Sequence, residues 1–455
     1  MCHHARSPLG ALLIAGLVWT APITGRAAAS ADLWQEAGSA ALNRPGHERL
    51  VRSPKFRAFQ LQHAPLRGLL NRAPRERSRS VAASDAVISL PQPDGTQARF
   101  RFVESPVMPD ELAARFPEIK TYVGRGVDDP TATVRFDLTP AGFHAQILSP
   151  NGATYIEPCL RGDTSLHAVY ARRDSQPAST DFQCLTASAA TVSASSTMTE
   201  SALVAGSLRT YRLACAATAE YTAYFGGTVS AGLSAVVTAI NRVTGIYESE
   251  LGIRLMLVAD NDKIIYTNSG NQPYSNGNPS ALLSQNQGNL DTVIGSGNYD
   301  VGHVFSTGGG GLAAVGVVCV GGLKAQGETG TYPPVGDAFY IDYVAHEIGH
   351  QFGASHTFNS SLNGCGFGNR CAESAYEPGS GSTIMSYAGI CSADNLQSHS
   401  GAYFHSRSLE QILAYVTGGA ASEATTLSGS HNSPPTVTAG ATCTIPIPCM
   451  RPRSG

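Results

Sequence analysis

Val344-Ala345-His346-Glu347-Ile348-Gly349-His350-Gln351-Phe352-Gly353-Ala354-Ser355-His356 is the stretch whose reading decides the fold. Residues four apart share a helical face, so His346 and His350 can present both imidazoles to one ion. Glu347 stands one step round the helix, where a water fits between its carboxylate and that ion. Gly353 tolerates the left-handed conformation, so the helix can stop there and the chain can turn back. The turn brings His356 round as a third nitrogen ligand. Three histidines leave a fourth position open to water, which is the arrangement of a catalytic zinc site rather than a closed structural one. The plain alternative is a helix with three solvated histidines, and it does not explain why glycine and histidine recur at these offsets.

Downstream lies Thr383-Ile384-Met385-Ser386-Tyr387. Together with the extended histidine motif it resembles the metzincin zinc endopeptidases, in which a Met-turn follows the zinc helix. Tyr376–Gly381, Gly389-Ile390-Cys391 and Tyr403-Phe404-His405 look like the reprolysin-like (adamalysin-related) secreted metalloproteases of bacteria. The resemblance covers about Ser207–Thr417 and, more weakly, an upstream unit around Ala86–Pro158 that looks like the group's propeptide. It implies an α/β catalytic domain, with a twisted mixed sheet over the active-site zinc helix and the Met-turn below, preceded by a mostly β propeptide domain. Met385 would form the apolar base under the metal. Tyr387 matches a tyrosine that contacts the zinc or the intermediate in astacins and serralysins; its other reading is a tyrosine packed in the turn. One departure is Thr357, where adamalysins usually carry aspartate.

The residues supply the chemistry of peptide hydrolysis. Zinc acidifies a water and polarises the scissile carbonyl, while Glu347 accepts the proton as general base and can return it to the leaving amine. His303 is expected to be structural, and His399 and His405 to be surface or supporting groups. Gly308–Ala313 is expected to line the substrate groove. Asp260, Asn261 and Asp262 could bind calcium but are more simply a polar turn.

Ten cysteines are too few for a small disulfide scaffold and enough for several bridges in an oxidising compartment. Cys215, Cys319, Cys365, Cys371 and Cys391 fall in the catalytic unit, and five is odd. Cys159 and Cys184 are expected to pair with each other. The alternative is that Cys184 holds the enzyme latent as a zymogen thiol on zinc, as in the cysteine switch of several metzincins.

Met1–Ser7 carries Arg6 and no acid, Leu9–Trp19 is apolar, and Ala27–Ala31 is small, the pattern of a secretory signal peptide over 1–31. A secreted, extracellular protein is expected, with no later segment long and apolar enough to span a bilayer. Residues 32–185 read as a mostly β propeptide: Ala86–Leu90 and Ala98–Phe102 form a hairpin turned at Asp94-Gly95, and Thr133–Leu138 and Gly142–Leu148 are strands. Its arginine-rich start, Arg44–Ser80, is expected to be a solvated face or a clamp on an acidic partner. Residues 186–206 are an Ala/Ser/Thr-rich activation linker, and 207–418 are the metalloprotease domain. That domain should carry a strand at Leu208–Leu213, helices at Ser230–Leu251, Ser280–Ile294 and Ser406–Val416, and a strand at Ile253–Val258. The tail, 419–455, resembles the truncated start of an Ig-like module.

A net charge of -3, with 14% charged residues, gives no reason to expect nucleic acid. Hydrophobic residues at 42% exclude a disordered chain. The expected partners are protein or peptide substrates and the chain's own propeptide as inhibitor, with no membrane in the mature form. The expected cofactor is one catalytic Zn2+, with Ca2+ unsupported. The rival function is a non-catalytic secreted adhesin or toxin on the same fold, which has no use for an intact Glu347.

Overall fold

A computed structural model describes residues 33–42, 46–51, 53–175, 183–186, 207–336, 338–366, 368–422 and 426–429. The signal-peptide stretch, residues 187–206 of the linker and the Ig-like start at Ser433–Gly440 lie outside the described residues.

The first unit is a nine-stranded antiparallel sheet. Its strands are β1 Trp34–Ala37, β2 Arg57–Leu61, β3 Val87–Pro91, β4 Gln97–Glu104, β5 Lys120–Gly126, β6 Thr133–Thr139, β7 Gly142–Ser149, β8 Gly152–Leu160 and β9 Asp163–Ala171. The chain meanders from β3 to β9, and β2 and then β1 add beyond β9. Alternation puts Phe100, Phe102, Val134, Phe136, Phe143 and Ile147 on one face, where Trp34 and α1 (His63–Leu70) cover them. The predicted hairpin is present, but its loop, 92–96, is five residues long. Gln92 N–H donates to the Thr96 carbonyl, and of Asp94-Gly95 only Gly95 takes positive φ, at 93°. Three of the arginines of 44–80 are paired within this unit. Arg75 and Arg77 both reach Asp110, at 2.8 and 2.7 Å, and Arg79 reaches Asp85 at 2.8 Å, all inside this unit. Asp110 opens α2 (Asp110–Arg115).

The second unit has a mixed sheet of β10 Ser207–Ala217, β11 Ile253–Leu257, β12 Val301–Ser306, β13 Gly310–Ala313, β14 Gly327–Gly330 and β15 Thr426–Gly429. In order β11-β10-β12-β14-β13 the first three pairings are parallel and the last is antiparallel. β15 runs antiparallel to the start of β10, Ser207–Thr210. The tail therefore contributes a strand to this sheet, and the boundary expected at 418 moves to at least 429.

Helix α3 (Ala219–Tyr224) is capped by Thr218, whose side chain accepts from the Tyr221 N–H. It leads to α4, Val229–Leu251, capped by Thr228 and closed by Gly252 at φ 62°. Leu233, Val236, Val237, Ile240, Val243 and Ile246 are fully buried, each contributing about 1.5–3 kcal/mol. Contrary to the sequence expectation, α4 is long and apolar enough to cross a bilayer; in the fold it is a mostly buried core helix. Several polar residues of α4 face the first unit instead. Thr238 donates to Asp137 at 3.0 Å, Asn241 accepts from Arg135 at 3.1 Å, and Glu248 pairs with Arg135 at 2.5 Å. Gly245 leaves room for the Arg135 side chain, since a Cβ would lie 3.1 Å from its Cδ.

α5 (Pro279–Leu290) covers the other face of the sheet and ends at Leu290 rather than at the predicted Ile294, passing into a wider turn at Asp291–Gly295. A wide helical turn over Ala338–Ala345 runs straight into α6, His346–Gln351. α7, Ser406–Gly418, closes the unit from an N-cap at His405.

Candidate metal centre

α6 presents His346 and His350 on one face, and Gly353, at φ 93°, turns the chain so that His356 returns to them. Each ring is held at its Nδ1 by a backbone carbonyl: His346 by Ile384 at 2.7 Å, His350 by Ala354 at 2.7 Å, and His356 by Asn369 at 2.6 Å. Nδ1 carries the proton in each, so all three Nε2 lone pairs point inward. His350 Nε2 lies 3.1 Å from that of His346 and 3.0 Å from that of His356. Burial pushes His346 down to about 4 and holds His350 and His356 well below the usual histidine range, so all three rings are neutral. Three unprotonated lone pairs this close repel one another unless a cation sits among them. That is the observation by which the residues fit a metal ion, and the nitrogen-rich donor set fits zinc.

A fourth donor comes from the first unit. Cys184 Sγ lies 3.6 Å from His350 Nε2 and 3.5 Å from His356 Nε2. The four ligand atoms lie within 4.8 Å of one another, and all four residues are buried. Cys184 is therefore not joined to Cys159; both thiols are free, and Cys159 lies in β8 within the first unit's core. Of the five cysteines in the second unit, Cys365 and Cys391 form a disulfide, and Cys215, Cys319 and Cys371 are free.

Glu347 is fully buried, and burial raises its carboxyl to about 8 against the smaller opposing effect of hydrogen bonds from Cys184 and Thr186. Gly311 of β13 must be glycine, because a Cβ there would run into the Glu347 carboxylate. The chain at 183–186 lies along β13 in parallel: Gly311 N–H donates to the Gln183 carbonyl at 3.0 Å, and Leu185 N–H donates to the Gly311 carbonyl at 2.8 Å. Thr186, expected to begin the linker, is instead buried in this cleft.

Met385 is completely buried beneath α6, and a Cβ on Gly349 would come within 2.6 Å of its sulfur. Tyr387 stacks on Phe358 at 4.3 Å and meets the His356 ring at 4.6 Å, and its hydroxyl donates to the Cys184 carbonyl at 3.0 Å. Sequence reasoning gave no role to Glu377. Its buried carboxylate accepts from Ser382 N–H at 2.6 Å, Thr383 N–H at 3.1 Å and Thr357 Oγ1 at 2.6 Å, tying the Met385 turn to the strand after His356. Thr357 thus serves this carboxylate at the position where aspartate was expected.

His303 is structural. Its Nδ1–H donates to Gln351 Oε1 at 2.9 Å, its Nε2 accepts from Thr329 at 2.9 Å, and Gln351 Nε2 donates to Gly302, which fixes α6 to β12. His399 is not at the surface: it is buried, bonded to Asp342 at 3.2 Å and to the Ser175 carbonyl at 2.8 Å. Asp342 also receives Arg172 of the first unit. Asp260 and Asp262 face the Arg115 guanidinium, 2.6 Å from Asp262, rather than a recognisable cation cage.

No curated protein matches this chain. Among solved structures, metalloproteinase-II from Bacteroides fragilis aligns over 77% of this chain and 95% of its own, at 11% identity and a TM-score of 0.42. A family model, the reprolysin-like M12B metallopeptidases, matches residues 207–416, the span that carries α6, its three histidines and the Met385 turn. The second unit of this chain belongs to the reprolysin-like metallopeptidases.

Proposed function

We propose that the chain is a secreted zinc-dependent endopeptidase made as a zymogen, with the first unit as its inhibitory propeptide. The observation that carries the reading is the convergence of three neutral, backbone-anchored imidazoles beside a buried carboxylate, with a thiol from the other unit as fourth donor. His346, His350 and His356 hold the zinc, which when bound lowers the pKa of a water and polarises a peptide carbonyl. Glu347 takes the proton from that water at its carboxylate and delivers it to the departing amine. Tyr387 aims its hydroxyl at a backbone carbonyl in the cleft, the contact expected of a donor to a substrate carbonyl. β13 is the edge on which an extended peptide lies, as Gln183–Thr186 already does.

Latency arises from the same contacts. Cys184 completes the donor set, so no position is left for water or substrate until this segment departs. The first unit positions the segment through Arg172, whose guanidinium pairs with Asp342 four residues before His346. Cleavage in the linker near Gly206 releases the mature enzyme.

The test is Glu347→Gln in the matured chain. Zinc content stays at one per chain, and casein or peptide cleavage falls by a factor of about 10² to 10⁴. Chelator-insensitive cleavage, or full activity in this variant, overturns the mechanism.

A further inference from the structure

We propose that Thr186 is a second inhibitory residue, which blocks the general base independently of the Cys184 thiol. The proposal rests on the zymogen reading above and adds a separate lock to it.

Thr186 Oγ1 lies 3.3 Å from Glu347 Oε2. The same oxygen accepts from the Ala313 N–H at 2.9 Å and lies 3.2 Å from the Ala313 carbonyl oxygen. Thr186 is 3% exposed and Glu347 is 0% exposed, so no bulk water reaches the contact. The hydroxyl has one proton and two acceptors within reach, Glu347 and Ala313, while its lone pairs take the Ala313 N–H. An oxygen at hydrogen-bond distance from the Glu347 carboxylate is what the attacking water must be. Thr186 Oγ1 stands in that place. It also takes up the N–H of Ala313, the last residue of β13, which a bound peptide would otherwise use.

Cys184 and Thr186 both reach Glu347, but only the thiol faces the histidine nitrogens and only the Thr186 hydroxyl reaches the end of β13. The thiol faces His350 and His356, the Cys184 carbonyl takes the Tyr387 hydroxyl, and the Thr186 hydroxyl takes Glu347 and the end of β13. Removing the thiol leaves the backbone bonds of Gln183 and Leu185 to Gly311 and the Thr186 contacts in place. Thiol chemistry alone therefore does not open the cleft.

The experiment uses the intact, zinc-loaded chain, with initial rates on a quenched fluorogenic peptide and gels confirming that the chain stays uncleaved. Cys184→Ala should retain most of the latency, at no more than about a tenth of the activity of the linker-cleaved enzyme. Cys184→Ala with Thr186→Val, which removes the hydroxyl and keeps the shape, should rise about tenfold above Cys184→Ala. Cys184→Ala with Thr186→Ser should match Cys184→Ala. A second readout needs neither metal nor turnover: alkylation of Cys184 in the metal-free chain should be about tenfold faster in Thr186→Val than in wild type or Thr186→Ser. A Cys184→Ala chain as active as the cleaved enzyme, or a Thr186→Val change without effect on both readouts, overturns the proposal. Wild-type intact chain as active as the cleaved enzyme overturns the zymogen reading itself, and that result is distinct.

Discussion

Replacing Glu157 with glutamine should weaken the hold of the β unit on the metallopeptidase unit by about 5- to 900-fold. Arg242 stands on α4 at 1% exposure, and its only carboxylate contact among the described residues is Glu157 of β8, 2.8 Å away. The contact is close but not aligned as a hydrogen bond, so its worth is chiefly Coulombic. Removing one partner of such a buried pair costs about 3–5 kcal/mol, because the other charge is left without compensation. Two rings soften the loss, since the guanidinium lies 5.1 Å from the Tyr155 centroid and 4.9 Å from that of Tyr340. Allowing roughly 1–2 kcal/mol for those faces leaves about 1–4 kcal/mol, which gives the stated factor. Glutamine keeps an acceptor for the Tyr170 hydroxyl, which bonds Glu157 at 2.5 Å, so the β unit itself should remain folded. The assay places a specific protease site within residues 187–206, cleaves it, and measures dissociation of the two pieces by dilution. Once apart, Arg242 is solvated, so activity of the released enzyme should not change. A dissociation constant within about threefold of wild type would refute the reasoning.

Gly311→Ala should cut kcat/KM by about a hundredfold or more with zinc still bound, because the new Cβ displaces the Glu347 carboxylate; wild-type kinetics would show that the strand yields. The β unit should lose stability in acid. Burial pushes His167 down to about 3, so its folded pKa lies below the unfolded value of about 6.5. The stabilisation is then complete above about pH 6.5 and is lost as pH falls towards 3, at about 1.4 kcal/mol per unit. Urea midpoints at pH 7 and pH 5 should differ by about 2 kcal/mol in stability, and a flat profile would sink the assignment. Removing the Cys365–Cys391 bridge, with a sequence separation of 26 between its ends, should cost about 3.5 kcal/mol by loop entropy. A Cys365→Ala/Cys391→Ala protein with an unchanged denaturant midpoint would contradict that figure.

What the sequence made legible was whatever local geometry determines. His346, Glu347 and His350 are placed by one turn of helix and His356 by one glycine, so their convergence could be read without knowing the sheet. The strands at 133–138, 142–148 and 208–213 alternate, and α4 repeats at helical spacing, so those elements fall where expected. α4 also shows the limit of such reading. Its apolar face marks a helix, but only tertiary packing determines that the rest of it lies against another unit. Met385 and Tyr387 were accessible through resemblance alone, since nothing in their spacing from His346 predicts contact. The preferred pairing of Cys159 with Cys184 failed because proximity in sequence says little about two residues on different sides of a domain. Thr186 looked like the start of a structureless stretch because the residues after it, 187–206, share its small polar character. Its partners, Ala313 and Glu347, are more than 120 positions away in sequence. His399 and Asp342 were unreadable for the same reason: their contacts with the Ser175 carbonyl and with Arg172 exist only once the two units meet.

The strand at Thr426–Gly429 ties the fate of one chain end to the other. Cleavage near Gly206 would create a new amino terminus at the first residue of β10, a strand that β11 borders on one side and β15 on the other. The tail thus acts as a clasp on the very residues that such a cut would set free. A protease that trimmed it upstream of Thr426 would leave Ser207–Thr210 with unpaired backbone groups along a sheet margin, an edge that invites pairing between molecules. If the chain matures as proposed, how long the cleaved enzyme survives would be decided partly at Thr426–Gly429, far along the chain from the activating cut.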